Sequence, residues 1–169
     1  MTVDKNKYEN AILYLCNGVG GPLKGKKKLA KLLYYADFDN YEYKESSKSI
    51  TGDKYEAWKM GPVPRGFMEV VSRLEKKGKL KKYSVESGAN YSPTEVFECL
   101  SLPDITIFSD DELSILDRVI KRYGGLSGKQ LEDLTHGEAP YIATDPSEEI
   151  LYDLAYYRGT DFSDVMARA

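Results

Sequence analysis

Residues Lys26 to Tyr43 read as a helix whose apolar positions run most of the way round it. Leu29, Leu32, Leu33, Ala36 and Phe38 make a wide face, and Tyr34, Tyr35 and Tyr41 widen it further. A helix on the surface of a globular protein usually hides a stripe of roughly 100°. This segment hides more, so it is expected to run through the centre of the fold or to share one side with a partner. Asp37 sits among those apolar positions, where burial either raises its pKa or demands partners for its oxygens.

The rest of the chain has to surround that helix. A first helix is expected from Lys5 to Asn17, with Tyr8, Ile12 and Leu15 on one face and Gly18 as the stop. After a polar turn at Glu45–Ser49, Ile50-Thr51-Gly52-Asp53 leads into a short extended segment, Tyr55–Lys59, which Gly61-Pro62-Val63-Pro64 is expected to break. Proline pre-sets the backbone angle of a first helical turn, so a third helix is expected to begin near Pro64. Val63, Phe67, Val70 and Leu74 would share its apolar face, with a glycine stop at Gly78. Lys79–Val85 and Asn90–Leu100 read as a hairpin. Ser109 with Glu112, and Ser127 with Gln130, each have the spacing of a capping box, so a helix is expected behind each. Asp145-Pro146-Ser147-Glu148 reads as one more helix start, leading through Ile150, Leu151 and Leu154. The pattern predicts an α+β fold, a mainly helical single domain over residues 1–169, packed around a small antiparallel sheet or hairpin.

Composition narrows the chemistry. With 41% apolar residues, 30% charged residues and a net charge of −3, the 169-residue chain resembles an ordinary globular protein. No apolar run approaches the ~20 residues of a membrane helix, and the first ten residues lack the pattern of a signal peptide. A cytoplasmic location is expected. Cys16 and Cys99 have no metal-ligand spacing and read as reduced, packed thiols. His136, the single histidine, cannot build a His-rich metal site and reads as a residue near a helix end that hydrogen-bonds locally. No nucleophile elbow is present, and Gly18–Gly21 lacks the spacing and the preceding strand of a phosphate loop. No catalytic residue, cofactor or metal is assigned, and an enzyme is the least favoured class.

Lys24, Lys26, Lys27, Lys28 and Lys31 form the one basic cluster. Three readings stand: a solvated helix start, a contact for a nucleic-acid backbone, or a contact for an acidic patch on a protein partner. No arginine lies among them to read bases. Nucleic acid is therefore not expected as a partner of this chain on its own.

Three segments together resemble the Panacea domain of SocA-like antitoxins. They are Lys31-Leu32-Leu33-Tyr34-Tyr35-Ala36-Asp37-Phe38; then Ile50-Thr51-Gly52-Asp53 with Tyr55, Ala57-Trp58-Lys59-Met60 and Gly61-Pro62-Val63-Pro64; and Leu126-Ser127 with Leu131, Leu134-Thr135-His136 and Ala139-Pro140-Tyr141. Their order and spacing extend the likeness from Leu23 to about Tyr157. The resemblance implies an antitoxin that neutralises a cognate toxin by direct contact and has no catalytic residues. Some such proteins are known only as phage-associated. A protease adaptor that delivers its bound toxin for degradation is the alternative outcome, with a nucleic-acid-binding regulator as a different class.

On this reading the partner-facing candidates are Tyr34, Tyr35, Asp37, Asp53, Tyr55, Trp58, Lys59, Pro62 and Pro64. Leu32, Leu33, Thr51, Gly52, Gly61, Val63, His136 and Pro140 are expected to be structural. Thr51-Gly52-Asp53 suits a tight turn. Tyr55 and Trp58 read as core anchors that fix that turn on the second helix. An exposed pair that meets a partner is the competing reading, because Trp and Tyr are common interface anchors.

Overall fold

The computed structural model describes residues 1–168. Helix α1 (Lys5–Gly18) leads to a short strand β1 (Leu23–Lys24) and then to α2 (Lys26–Glu42). A hairpin follows, β2 (Tyr55–Trp58) and β3 (Gly61–Pro64), then α3 (Phe67–Lys76) and a second hairpin, β4 (Leu80–Val85) and β5 (Thr94–Cys99). The chain continues through α4 (Asp110–Tyr123), α5 (Gly128–His136), the short α6 (Ala139–Ile142), β6 (Glu149–Ile150) and a 3₁₀ turn at Tyr152–Tyr157.

The architecture is α+β and mainly helical, as the patterning predicts. Helix α2 is central: it packs against α1, α4, α5, β3 and the Tyr152–Tyr157 turn. From Leu29 to Tyr41 every one of its residues is buried, polar ones included. Burying a Leu or Phe side chain contributes about 1.5–3 kcal/mol, which is why so apolar a helix takes the centre. Ser109 and Ser127 both complete their capping boxes, with Glu112 and Gln130, and start α4 and α5 where the spacing places them.

The strands depart from expectation. One small sheet was expected; the described residues form two three-stranded antiparallel sheets, ordered β1-β5-β4 and β3-β2-β6. Gly61–Pro64 does not break the extended segment but returns along it, with Ala57 opposite Pro62 and Tyr55 opposite Pro64. Proline tolerates this because β3 is an edge strand, and both prolines sit at positions whose nitrogen faces away from β2. The Arg65 N–H to Lys54 carbonyl bond (2.8 Å) fixes that parity. The helix that follows accordingly starts at Phe67, not at Pro64. Likewise Glu149–Ile150 joins β2 as a strand where a helix start was expected, with Ile150 opposite Tyr55. Pairing with β2 overrides the local capping signal there, and Ser147 adopts a positive φ of 70°.

Candidate partner-binding site

The β2–β3 hairpin carries the exposed apolar side chains of the central motif. Trp58, Lys59 and Met60 form its tip, with Trp58 47% and Met60 54% exposed. Both sides of the hairpin are braced. On one side the Tyr141 hydroxyl donates to the Trp58 carbonyl at 2.8 Å. On the other, the Lys31 ammonium donates to the Pro62 carbonyl at 2.7 Å. That carbonyl points away from β2, so the strand pairing cannot satisfy it, and a lysine from α2 does so instead.

Lys31 is only 1% exposed, and burial pushes its pKa down to about 8. Gly61 has a φ of +104°, and a β-carbon there would stand 2.8 Å from Lys31 Cε and 2.9 Å from Thr135 Oγ1. Gly61 thus serves both the turn and the close passage of the lysine stem. Between hairpin, α2 and α3 lies an open groove of about 490 Å³, lined by Lys26, Lys27, Ala30, Lys31, Trp58, Met60, Val63 and Phe67.

Two buried carboxylates hold this platform from beneath. Asp37 accepts from the Ile50 and Thr51 amides (2.8 Å each), the Thr51 hydroxyl (2.5 Å) and the Tyr55 hydroxyl (2.6 Å). Burial raises its pKa to about 6, and these donors work against that rise. Asp53 accepts from the Tyr8 hydroxyl (2.6 Å) and from the amides of Lys54 and Gly66 (2.8 Å each). It therefore ties α1 to the start of α3. Gly52, between them, has a φ of +74°, and a side chain there would collide with the Thr2 carbonyl.

A third buried carboxylate, Asp39, lies two residues beyond Asp37 on α2 and ties the helix to α4 and the C-terminal segment. Its oxygens meet Arg118 Nη1 at 2.6 Å and Arg158 Nη2 at 2.7 Å. Arg158 also pairs with Glu42 at 2.6 Å. Glu138, just before α6, accepts from Tyr34 (2.8 Å) and Tyr35 (2.9 Å) through its two oxygens. Burial and then the Glu138 charge hold the Tyr34 hydroxyl protonated far above its usual range, so it acts as a donor.

These positions divide the expected site residues. Trp58 and Lys59 are exposed, while Tyr34, Tyr35, Asp37, Asp53, Tyr55, Pro62 and Pro64 are buried and present no side chain to a partner in this conformation. Tyr55 is a core anchor; Trp58 is not, because it lies on the outward face of β2 with its indole N–H bonded to Glu56 at 3.0 Å. Leu32, Leu33, Thr51, Gly52, Gly61 and Pro140 are buried and Val63 partly so, all within the scaffold. His136 stacks on Tyr141 with ring centres 4.5 Å apart, and its buried Nε2 has no hydrogen-bond partner among the described residues, so the expected local bond is not made.

The basic cluster is not simply a solvated helix start. Lys27 pairs with Glu132 at 3.0 Å, Lys28 donates to the Gly124 carbonyl at 2.6 Å, and Lys31 is buried. Sequence reasoning missed Met60 and Phe67 in the groove wall, and it missed Glu138 and Arg158 in the scaffold. Asp39, which stands out in the sequence with Asp37, Asp53 and Glu56 as a carboxylate suited to acid–base work or a hard cation, is instead paired with two arginines.

The family model for SocA-like antitoxins, Panacea domain, matches residues 29–141, a span that includes the hairpin, Asp37, Asp53 and the groove wall apart from Lys26 and Lys27. The chain belongs to this family. Membership points to an antitoxin role in a toxin–antitoxin context, with a toxin as the general kind of partner. No curated protein and no solved structure matches the chain significantly. The matched span of the Panacea domain begins within α2 and ends within α6, so α1, β6 and Arg158 lie outside it. Among the described residues of this Panacea-domain chain, no helix is long and apolar enough to cross a membrane. Nor, among them, does any group of three or more His, Cys, Asp or Glu side chains stand where it could hold a metal ion.

Proposed function

We propose that this Panacea-domain chain neutralises a cognate toxin by direct protein–protein contact, without catalysis, and that the β2–β3 hairpin tip is the centre of the contact. The observation that carries this reading is the pairing of exposure with rigidity: Trp58 and Met60 stand out from a turn whose two flanking carbonyls are held by Tyr141 and Lys31. A preformed apolar projection loses little conformational entropy on binding, and tryptophan is among the commonest energetic anchors of interfaces. An interface of ordinary size, roughly 800 Å² per partner, would extend from the tip across the groove.

The test is co-expression with the product of the adjacent open reading frame. That product should arrest growth when expressed alone and be tolerated when this chain accompanies it. A harmless neighbour sinks the reading. Toxin abundance separates blocking from delivery to a protease: it holds steady under a blocker and falls under an adaptor. The engagement of Lys27, Lys28 and Lys31 inside the chain weighs against a phosphate-binding role for the basic cluster.

A further inference from the structure

The groove beside the hairpin combines an apolar wall with surplus positive charge. Its apolar lining comes from Ala30, Trp58, Met60, Val63 and Phe67. The nearby carboxylates are already engaged: Glu56 bonds Arg65 at 2.8 Å, and Glu132 bonds Lys27 at 3.0 Å. Lys26 is exposed, with its ammonium 5.7 Å from the centre of the Phe67 ring. Lys59 is exposed beside Trp58 at the tip. Among the described residues neither lysine, nor the buried Lys31, has a carboxylate within 4.0 Å. A charge beneath a low-dielectric wall is poorly screened and projects its field into the cleft. Two lysines of the groove wall, Lys26 and Lys31, and Lys59 next to Trp58 at its rim thus stand, among the described residues, without a carboxylate partner, on a chain whose net charge is −3.

We infer that this groove receives an acidic segment of the toxin, an aromatic or aliphatic side chain seated against Trp58, Met60 and Phe67 with Asp or Glu residues flanking it over Lys26 and Lys59. Lys31 adds attraction from below without touching the segment. The inference rests on the antitoxin reading and names the chemistry of its partner.

The experiment measures binding of the purified product of the adjacent open reading frame, alongside growth rescue in co-expression. The double variant Lys26→Glu/Lys59→Glu should melt as the wild type does and bind at least tenfold more weakly. A second double variant, Lys81→Glu/Lys82→Glu on β4, changes net charge equally but lies outside the groove; it should bind within twofold of wild type. Equal weakening by both would reduce the effect to net charge and overturn the inference, as would unimpaired binding by the groove variant. If wild type protects and the groove variant protects as well, the acidic-segment inference falls while neutralisation stands. If wild type fails to protect, both fall. A self-association that the groove variant abolishes would assign the groove to a second copy instead.

Discussion

The Lys31 ammonium lies 2.7 Å from the Pro62 carbonyl oxygen, joining the second turn of α2 to an edge strand that, among the described residues, has no neighbour on that side to satisfy it. The bond braces the hairpin at the cost of burying a positive charge, and that cost gives it a pH signature. Burial lowers Lys31 to about 8, below the ~10.4 of a lysine in an unfolded chain. Between those values the unfolded chain holds more protons than the folded one, so stability rises with pH across the window. Urea unfolding at pH 8 and pH 9.5 should show the wild type gaining about 1.5 kcal/mol relative to Lys31→Met. Parallel pH profiles for the two proteins would exclude the charged, buried lysine.

Asp37 collects two amides and two hydroxyls, each of which donates to no other acceptor among the described residues. Removing the acceptor strands buried donors, at about 1–3 kcal/mol for each left unsatisfied. Asp37→Ala should lose about 3–5 kcal/mol of stability in chemical denaturation. Asp37→Asn should lose less, because the Thr51 and Tyr55 hydroxyls can turn to accept from the new amide. A loss below 1 kcal/mol for Asp37→Ala would contradict the clamp.

Trp58 is the chain's single tryptophan and is half exposed. Trp58→Ala should cost about 1 kcal/mol or less of stability, since few buried contacts are lost. It should nevertheless abolish protection against the toxin. Misfolding and loss of contact are thereby separable by a melting curve. A folded Trp58→Ala variant that still protects fully would remove the tip from the interface.

Arg158 and Arg118 together balance Asp39, which is fully buried. Removing one partner of a buried ion network leaves an uncompensated charge, at about 3–5 kcal/mol. Arg158→Met should lower stability by that amount in urea titration. Little change would mean that Arg118 alone suffices.

Much of the fold can be read directly from the chain. The apolar circumference of Lys26–Tyr43 anticipates a central helix, and the Ser109–Glu112 and Ser127–Gln130 spacings mark two helix starts to the residue. Those signals are local, which is why they survive folding. The misread elements owe their form to distant partners. Pro62 and Pro64 become strand residues because β2 offers pairing at alternate positions, and Ile150 is drawn to Tyr55 across the fold. The candidate site divides in the same way. Trp58 and Lys59 are exposed within their own segment, whereas Tyr34, Tyr35 and Asp37 pointed to a partner and found it inside the chain. Their acceptors and donors, Glu138 for the tyrosines and Thr51 and Tyr55 for the aspartate, lie on other elements. Lys31 looked like one lysine among five; only the outward carbonyl of Pro62 explains its burial.

The family-matched span stops short of groups that complete it. Ile150 closes one edge of β2, Tyr152 donates to the Asp53 carbonyl at 2.5 Å, and Arg158 neutralises Asp39. A recombination event that transplanted residues 29–141 alone would deliver a half-sealed interior to its new host. Shuffling among chains of this kind should therefore keep its crossover points beyond the last of these tail contacts, so that diversity accumulates at the hairpin tip and not at the seam.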